Sequence, residues 1–338
     1  MTLRRLARRA FAATPLPEIL VRRRAKRFLT VLGYHRILPL PGPDYPFAER
    51  IVSSTPEEFA RELRYLRDNF DVISMSELLR GLRDPSLLPP RPAVITFDDG
   101  YADNHTYALP LLRDAGLTAT FFICTGLVGT RIIPWYEAWV CCFKRSKAKV
   151  LDSPFGGDDV PYRLDEANWT ASYNRFRRHM GRLPWSQMPA VLQRLQAATS
   201  VNPDDHLTDP LFMSWDAVRD MTAAGMDIGG HTRTHPILAN VQDPQTLRSE
   251  IVGCHEDLVD RLFKPPTSFA YPWGTTEAMS DEADALIDQA GFEISFSFIH
   301  GLARRRVGRA QRLPRVHVSY GDDYQAFRFE MARVPVLA

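Results

Sequence analysis

The sequence predicts an α/β fold, a (β/α) barrel of about seven strands with a helical insertion in one loop. Three observations lead to this prediction. Short apolar runs alternate with amphipathic stretches about seven or eight times over ~300 residues, which favours a parallel barrel over an open sheet. A long stretch in the middle of the chain breaks this alternation. Polar side chains stand where the apolar runs end, the place where barrel enzymes carry catalytic residues.

The predicted elements follow one another in a regular order. Strands are short runs rich in Val, Ile, Phe and Thr, and glycines such as Gly116 and Gly225 close the helices. In the first half, we expect strands at 28–35, 71–74, 93–99 and 117–123, with helices at 56–70 and 103–115. In the second half, we expect strands at 226–231, 267–272, 292–298 and 313–318, with helices at 214–225, 243–263 and 276–290.

Residues 131–210 interrupt the alternation. They contain two helix-like segments, 134–145 and 171–180, with a turn-rich stretch between them. We expect this region to be an insertion on one barrel loop, within a barrel domain that spans 28–338. Trp135, Tyr136 and Trp139 of the first segment could stack on sugar rings, although their spacing is also that of a buried helix face.

Composition limits the class of protein. A chain of 338 residues that is 45% hydrophobic can bury a full core. Its 42 basic and 40 acidic residues nearly cancel, so the net charge gives no reason to expect a nucleic-acid partner. The four cysteines lack the CxxC spacing, and Cys124 ends an apolar run, so buried free thiols are expected.

Residues 1–27 form a basic N-terminal arm with two readings. Leu3, Leu6 and Phe11 could form the apolar stripe of a short helix whose basic face contacts anionic lipid. A solvated terminus is the simpler interpretation. Neither a signal peptide nor a span of ~20 apolar residues is evident, so we expect a protein of the cytoplasm or the inner face of the membrane.

Two adjacent carboxylates end one predicted strand. Asp98 and Asp99 follow the apolar run at 93–97, and burying both without partners would cost several kcal/mol. Because successive strand residues point to opposite sides, the two carboxylates can take different roles. The barrel prediction places them on a rim together with His35, His231, Tyr271, Trp273, Arg315 and His317.

Two histidines follow another predicted strand. His231 and His235 are four residues apart, so one helical turn would bring both imidazoles to the same side. With one of the carboxylates they would form a site of two histidines and one aspartate. Three protein ligands leave a position open for water, as catalytic zinc sites do.

Four motifs carry a resemblance to a known family. "TFDDGY" at 96–101, "HTRTH" at 231–235, "FAYPWG" at 269–274 and "VLGYHRI" at 31–37 resemble motifs of the NodB-homology polysaccharide deacetylases. The resemblance covers most of residues 30–320. It implies a distorted (β/α) barrel, a divalent metal that is often zinc, and removal of acetyl groups from N-acetylated or O-acetylated sugars.

The resemblance also implies roles for individual residues. Asp98 corresponds to the general base, and Asp99, His231 and His235 correspond to the metal ligands. The backbone N–H of Trp273 corresponds to the donor that stabilises the oxyanion, and Tyr271 and Trp273 are expected to contact the substrate. Cobalt or nickel could replace zinc.

One position departs from the family pattern. The third motif usually carries an arginine that orients the base, and Ala270 stands in its place here. Arg315 and His317 share one face of the last predicted strand, so Arg315 could replace that arginine and His317 could be the general acid. His35 could line the same pocket or be a hydrogen-bonded rim histidine.

The sequence therefore predicts a metal-dependent carbohydrate deacetylase that acts on carbon–nitrogen bonds other than peptide bonds. The alternative is a catalytically silent carbohydrate-binding protein on the same fold, although binding alone needs no second carboxylate. A membrane-surface adaptor that uses the basic arm would leave the rim residues unexplained. The glycan, the choice between N- and O-deacetylation and the oligomeric state are not predicted.

Overall fold

A computed structural model describes Phe11 and residues 14–42, 44–155, 160–305, 310–318 and 323–336. Seven parallel strands form a closed barrel in which each strand pairs with the next one along the chain and β7 pairs with β1. This confirms the predicted fold class. The strands are β1 Phe28–Tyr34, β2 Pro92–Phe97, β3 Thr120–Ile123, β4 Asp227–Gly230, β5 Ser268–Ala270, β6 Ile294–His300 and β7 Leu313–His317.

Closure of the barrel is visible in the strand register. On one side of β1, Thr30 to Tyr34 pair with Ala93 to Phe97 of β2, and on the other side Leu32 pairs with Val316 of β7. Shorter strands lie outside the ring at Arg36–Ile37, Val52–Ser54, Asp71–Val72, Val150–Leu151, Tyr162–Arg163 and Ala303–Arg304.

Helices surround the barrel. They are α1 Leu16–Ala25, α2 Pro56–Asn69, α3 Met75–Arg83, α4 Leu109–Ala115, α5 Trp135–Arg145, α6 Trp169–Met180, α7 Met188–Thr199, α8 Trp215–Ala223, α9 Pro244–Leu262, α10 Asp281–Ala290 and α11 Tyr324–Arg333. The local sequence explains α2, whose N-cap Thr55 accepts a hydrogen bond from the Glu58 N–H. Phe59, Leu63 and Leu66 of α2 are buried at helical spacing against the sheet.

Strand alternation separates two layers of the core. Leu32, Ile95 and Phe121 pack with the surrounding helices, whereas Val94 and Phe122 belong to the layer that fills the barrel. Asp98 directly follows β2, and strand alternation places its side chain on the same side as that of Val94, towards the barrel interior. The barrel interior therefore ends in a polar side chain at the carboxyl ends of the strands.

The region between β3 and α8 carries α5, α6 and α7. Their facing sides form a second core of aromatic side chains in which Trp139, Phe143 and Phe176 are buried. Ring centroids of Trp139 and Phe176 lie 5.1 Å apart, and those of Phe143 and Phe176 lie 4.6 Å apart. The helices of this region therefore form a packed layer of their own, next to the carboxyl ends of the strands.

The predicted basic arm lies partly outside the described residues, which do not include 1–10, 12 and 13. Its second half is α1, which packs on the barrel through the buried Val21 and Ala25. Glu18 of α1 accepts hydrogen bonds from the Arg328 guanidinium at 2.7 and 3.0 Å. Residues 16–25 are thus part of the packed body, and membrane contact stays a prediction for the residues before them. Within the described ranges, no helix is both long enough and apolar enough to cross a bilayer.

Candidate active site

A cavity of about 330 Å³ opens where the barrel strands end. Asp98 and Asp99 follow β2, His231 follows β4, Tyr271 follows β5, and His317 is the last residue of β7. All of these predicted site residues line the cavity together with Trp273 and His35. Arg315 lies beneath them, fully buried. Helices α5 and α6 supply much of the remaining wall through Tyr136, Trp139, Val140, Tyr173, Asn174 and Arg177, and further lining residues are Ala48, Arg50, Ile51, Ser53, Phe298 and Val318.

The Asp98 carboxylate forms a bidentate pair with Arg315. Its two oxygens accept from the Arg315 Nη1 and Nη2 groups at 2.7 and 2.6 Å. Burial by itself would raise the pKa of Asp98, but the charge and hydrogen bonds of Arg315 together with the nearby His231 and His35 lower it below the usual value. Asp98 is therefore an ionised carboxylate at neutral pH, held in a fixed orientation.

Arg315 belongs to β7 and Asp98 follows β2, the two strands that flank β1. Its Nε donates to the Ser297 carbonyl at 2.8 Å, and its Nη1 also donates to Thr96 Oγ1 at 3.1 Å. Its guanidinium carbon lies 4.9 Å from the centroid of the Phe298 ring. Residues of β2 and β6 thus fix the guanidinium from two sides of the barrel. Ala270, where the family pattern has an arginine, contributes only its carbonyl to the site.

Asp99 turns away from Asp98 towards the two histidines. The Nε2 atoms of His231 and His235 lie 3.3 and 3.2 Å from Asp99 Oδ1. Neither approach has hydrogen-bond geometry, so Oδ1 is buried without a hydrogen-bond partner among the described residues. Burial opposes ionisation of Asp99, yet the neighbouring histidines hold its pKa well below the usual value. Three potential donor atoms therefore converge on one point.

The hydrogen bonding of His231 suits a metal ligand. Its Nδ1 lies 2.7 Å from the Ala270 carbonyl oxygen, which can only accept, so Nδ1 carries the proton. In the neutral form, the lone pair of Nε2 then faces Asp99; without a metal, Asp99 and Asp98 raise the pKa of His231 although burial opposes this. Metal-bound histidines commonly have such a carbonyl partner, which fixes the tautomer and the ring orientation. Two imidazole nitrogens and one carboxylate are a donor set that fits zinc.

The predicted helical turn at 231–235 is wrong. Thr232 and His235 have positive φ angles of 66° and 63°, which a helix excludes. The Thr232 hydroxyl accepts from the His235 N–H at 3.0 Å, and Glu250 Oε2 accepts from the N–H groups of the two residues between them, Arg233 and Thr234. The loop brings the two imidazoles together by a tight turn rather than by helical spacing. Asp99 and Trp273 also have positive φ, and such strained conformations cluster at functional sites.

Cys124 also belongs to this cluster. Potential ligand atoms of Asp99, Cys124 and His231 all lie within 4.8 Å of one another. All four cysteines are buried and free, as expected from the sequence. The Cys124 thiol donates to the His231 carbonyl at 3.2 Å, and burial raises its pKa well above the usual value. Sequence reasoning missed Cys124 as a site residue, although it follows β3, the strand between Asp99 and His231.

Tyr271 and Trp273 border the cavity differently. The Tyr271 hydroxyl donates a hydrogen bond to Asp284 outside the cavity, and its contact with a substrate stays a prediction. The Trp273 ring stacks on Trp135 with centroids 5.7 Å apart. No acceptor among the described residues takes a hydrogen bond from the Trp273 N–H. That backbone donor remains available for a ligand.

His317 and His35 stand on either side of Phe298. The His317 ring stacks on Phe298 at 4.0 Å, and its Nε2 has no hydrogen-bond partner within the described part of the chain. Burial, His300 and Arg315 lower the pKa of His317 to about 3. Burial likewise lowers the pKa of His35, although both carboxylates oppose it. Both imidazoles are therefore neutral at neutral pH.

Helix α5 packs directly on the histidine cluster. The Trp135 Nε1–H donates to the His235 carbonyl at 2.9 Å, and the Tyr136 ring lies 4.5 Å from the His235 ring. The aromatic residues of α5 are buried, as one reading of their spacing predicted, and two of them also line the cavity. The sequence pattern did not predict that Arg50, Tyr173 and Arg177 line the cavity.

The chain matches the family described as "Polysaccharide deacetylase" over residues 88–295. Among curated proteins, YxkH of Bacillus subtilis (strain 168), which is named as a polysaccharide deacetylase, is 32% identical to this chain over 74 residues. That match spans 22% of this chain and 26% of YxkH, so the chain aligns with about a quarter of that relative.

Solved structures of deacetylases share the fold. Deacetylase PplD of Streptococcus pyogenes, solved in complex with acetate, is 17% identical with a TM-score of 0.59, covering 90% of this chain and 98% of PplD. IcaB of Ammonifex degensii is 18% identical with a TM-score of 0.59, covering 91% and 98%. Because the family match extends over more than half of the chain, the protein belongs to the polysaccharide deacetylase family, whose members are carbohydrate deacetylases that hydrolyse amide bonds.

Proposed function

We propose that this protein is a metal-dependent deacetylase that removes acetyl groups from an N-acetylated or O-acetylated glycan. The observation that carries the proposal is the different environment of the two adjacent carboxylates in one cavity. Asp98 is fixed by Arg315, and Asp99 faces two imidazole nitrogens without hydrogen-bonding to them. One carboxylate is thereby suited to proton transfer and the other to metal binding.

Asp99, His231 and His235 are the proposed metal ligands. A divalent ion held by them would supply Lewis acidity toward water and the acetyl carbonyl. Cys124 is the competing third ligand, but its thiol is engaged with the His231 carbonyl, and its raised pKa opposes formation of a thiolate. Zinc fits the donor set, with cobalt and nickel as alternatives.

Asp98 is the proposed general base. It is ionised, and each of its oxygens keeps a lone pair free after accepting from Arg315. It can therefore take a proton from water as the water attacks the acetyl carbon. The Trp273 N–H, which has no acceptor of its own among the described residues, is the proposed donor to the developing oxyanion.

His317 is the proposed general acid for the leaving group. His317 lines the cavity, and its buried Nε2 has no hydrogen-bond partner among the described residues. Because its pKa of about 3 makes it neutral in the free protein, His317 must gain a proton after the substrate binds before it can donate one.

The His317→Ala variant tests this role. We expect kcat to fall by about 10²- to 10⁴-fold on a sugar substrate, with bound metal unchanged, because the leaving group is no longer protonated. The loss should be smaller for an activated aryl acetate, whose leaving group needs no proton. His206 ends the short helical turn Pro203–His206 and does not line the cavity, so His206→Ala serves as the control. Equal losses on both substrates would contradict the acid role and make His35 the next candidate.

The catalytically silent alternative rested on Ala270. In the structure, Arg315 of β7 pairs with Asp98, so the base does have an arginine partner. Ala270 therefore no longer favours the silent alternative. The family membership and the acetate in the PplD structure support an acetylated substrate. Peripheral contact with anionic membrane through the first residues of the arm remains part of the proposal.

Acetate release is the test of the proposed function. We expect the purified protein to release acetate from at least one glycan among chitooligosaccharides, peptidoglycan, acetylated xylan and acetylated exopolysaccharide. A chelator should remove the activity together with about one divalent metal per chain, and added zinc should restore it. Activity that persists after chelation, with no metal found by elemental analysis, would contradict the metal dependence.

A further inference from the structure

The outer wall of the cavity has an excess of positively charged hydrogen-bond donors. Arg50 and Arg177 both line it, and no carboxylate of the described residues lies within ion-pair distance of either guanidinium. Among the described residues, the acidic residues that line the cavity are Asp98 and Asp99, which face Arg315 and the two histidines, respectively. The wall therefore has two cations without a counter-charge.

Aromatic rings hold both guanidinium groups in place. The Arg50 guanidinium carbon lies 4.8 Å from the centroid of the Tyr173 ring, and that of Arg177 lies 4.5 Å from the Trp273 ring. Stacking leaves the N–H edges of a guanidinium free for a ligand and reduces the entropy that binding would cost. Trp273 also carries the proposed oxyanion donor, so the arginines stand next to the reaction centre.

A third donor lies in the same wall. Trp139 is 2% exposed, packs on Tyr173 with ring centroids 4.8 Å apart, and lines the cavity. Its Nε1–H is buried and has no acceptor among the described residues. An indole N–H can only donate, so an acceptor on a ligand in the cavity would satisfy this group. A buried donor without a partner costs about 1–3 kcal/mol.

We propose that Arg50, Trp139 and Arg177 form a subsite for an anionic group, a carboxylate or a phosphate, carried by the glycan beside its acetylated sugar. The inference rests on the proposed deacetylase function and specifies its substrate class. Guanidinium groups bind carboxylate and phosphate through paired, charge-assisted hydrogen bonds. A neutral N-acetylated polymer is a poor match, because each N-deacetylation creates an ammonium group that the two arginines repel.

Matched oligosaccharides test the subsite. The first probe alternates N-acetylglucosamine with glucuronic acid, the second is its carboxyl methyl ester, and the third is an N-acetylglucosamine oligomer that carries 6-phosphate groups. Binding is measured calorimetrically with the Asp98→Asn variant, so that no turnover occurs, and acetate release is measured with the wild-type chain. We expect the free acid or the phosphate to bind about tenfold or more tightly than the methyl ester, and high salt to weaken that preference.

Arginine variants identify the groups responsible. Arg50→Gln and Arg177→Gln should each lower affinity for the preferred anionic probe about tenfold and leave binding of the methyl ester nearly unchanged. Arg178→Gln is the matched control, since Arg178 is exposed on α6 and does not line the cavity. The preferred anionic probe decides between carboxylate and phosphate.

The outcomes separate this inference from the proposed function. The subsite would be overturned if neither anionic probe bound more tightly than the methyl ester, if the arginine variants lost affinity equally for the anionic probe and the ester, or if no probe bound. Arginine-dependent binding of an anionic probe without acetate release from any glycan would support the subsite and contradict the deacetylase function.

Discussion

Asp98→Asn is expected to abolish acetate release, lowering kcat by ~10²- to 10⁴-fold or more, while bound metal stays at the wild-type level. An amide cannot take a proton from water, and Asp98 is not among the proposed ligands. The substitution conserves volume, but it breaks the buried pair with Arg315, which could cost about 3–5 kcal/mol of stability. Kinetics and elemental analysis should therefore be combined with thermal unfolding.

Asp99→Asn is the matched variant of the same motif. We expect it to reduce metal affinity itself, because an amide is a weaker ligand than a carboxylate and Asp99 Oδ1 lies closest to both imidazoles. Excess zinc should then restore part of the activity in this variant but none in Asp98→Asn. If both variants lost metal to the same extent, the proposed division of labour between the two carboxylates would be wrong.

Arg315→Lys is the second change with a large expected effect, although it preserves charge. A lysine cannot form the bidentate pair with Asp98 and also donate to the Ser297 carbonyl. Loss of one charge-assisted hydrogen bond in a buried site costs about 1.5–3 kcal/mol. We expect kcat to fall roughly 10- to 100-fold with KM much less affected, because Arg315 orients the base and does not line the cavity.

Arg312→Lys is the control for that variant. Arg312 lies three residues earlier and pairs with Asp281 and Asp284 outside the cavity. It should retain wild-type kcat. Wild-type kcat in a folded Arg315→Lys protein would show that the position of Asp98 does not depend on a bidentate contact.

Strand-end positions explain why much of the site could be predicted. In a parallel barrel, the residues that follow each strand meet on one rim, whatever their separation in sequence. The strand pattern therefore sufficed to group Asp98, His231 and His317, which come from three strands. The side-chain period of two likewise separated the surroundings of Asp98 from those of Asp99.

Loop conformation explains part of what could not be predicted. The spacing of His231 and His235 is compatible with a helical turn, and only the backbone shows the left-handed residues that replace it. Cys124 looked like an ordinary buried thiol, because it ends an apolar run and the cysteines lack the CxxC spacing. The contribution of α5 and α6 to the cavity depends on packing between a long insertion and the rim.

Tertiary packing also decided the structure of the arm. Its arginines are typical of a solvated segment, but those of α1 find partners far along the chain. Arg22 donates to Asn69 and Arg24 donates to the Ala332 carbonyl. Contacts between residues so distant in sequence leave no local signal.

Anomalous X-ray diffraction at the zinc edge, from crystals of the zinc-loaded protein, tests the central claim most directly. We expect one zinc ion within ~2.0–2.2 Å of an Asp99 oxygen and of the Nε2 atoms of His231 and His235, with Asp98 outside its coordination shell. A zinc ion bound to Cys124 at ~2.3 Å in place of His235, one bound to Asp98, or no zinc in the cavity would contradict it.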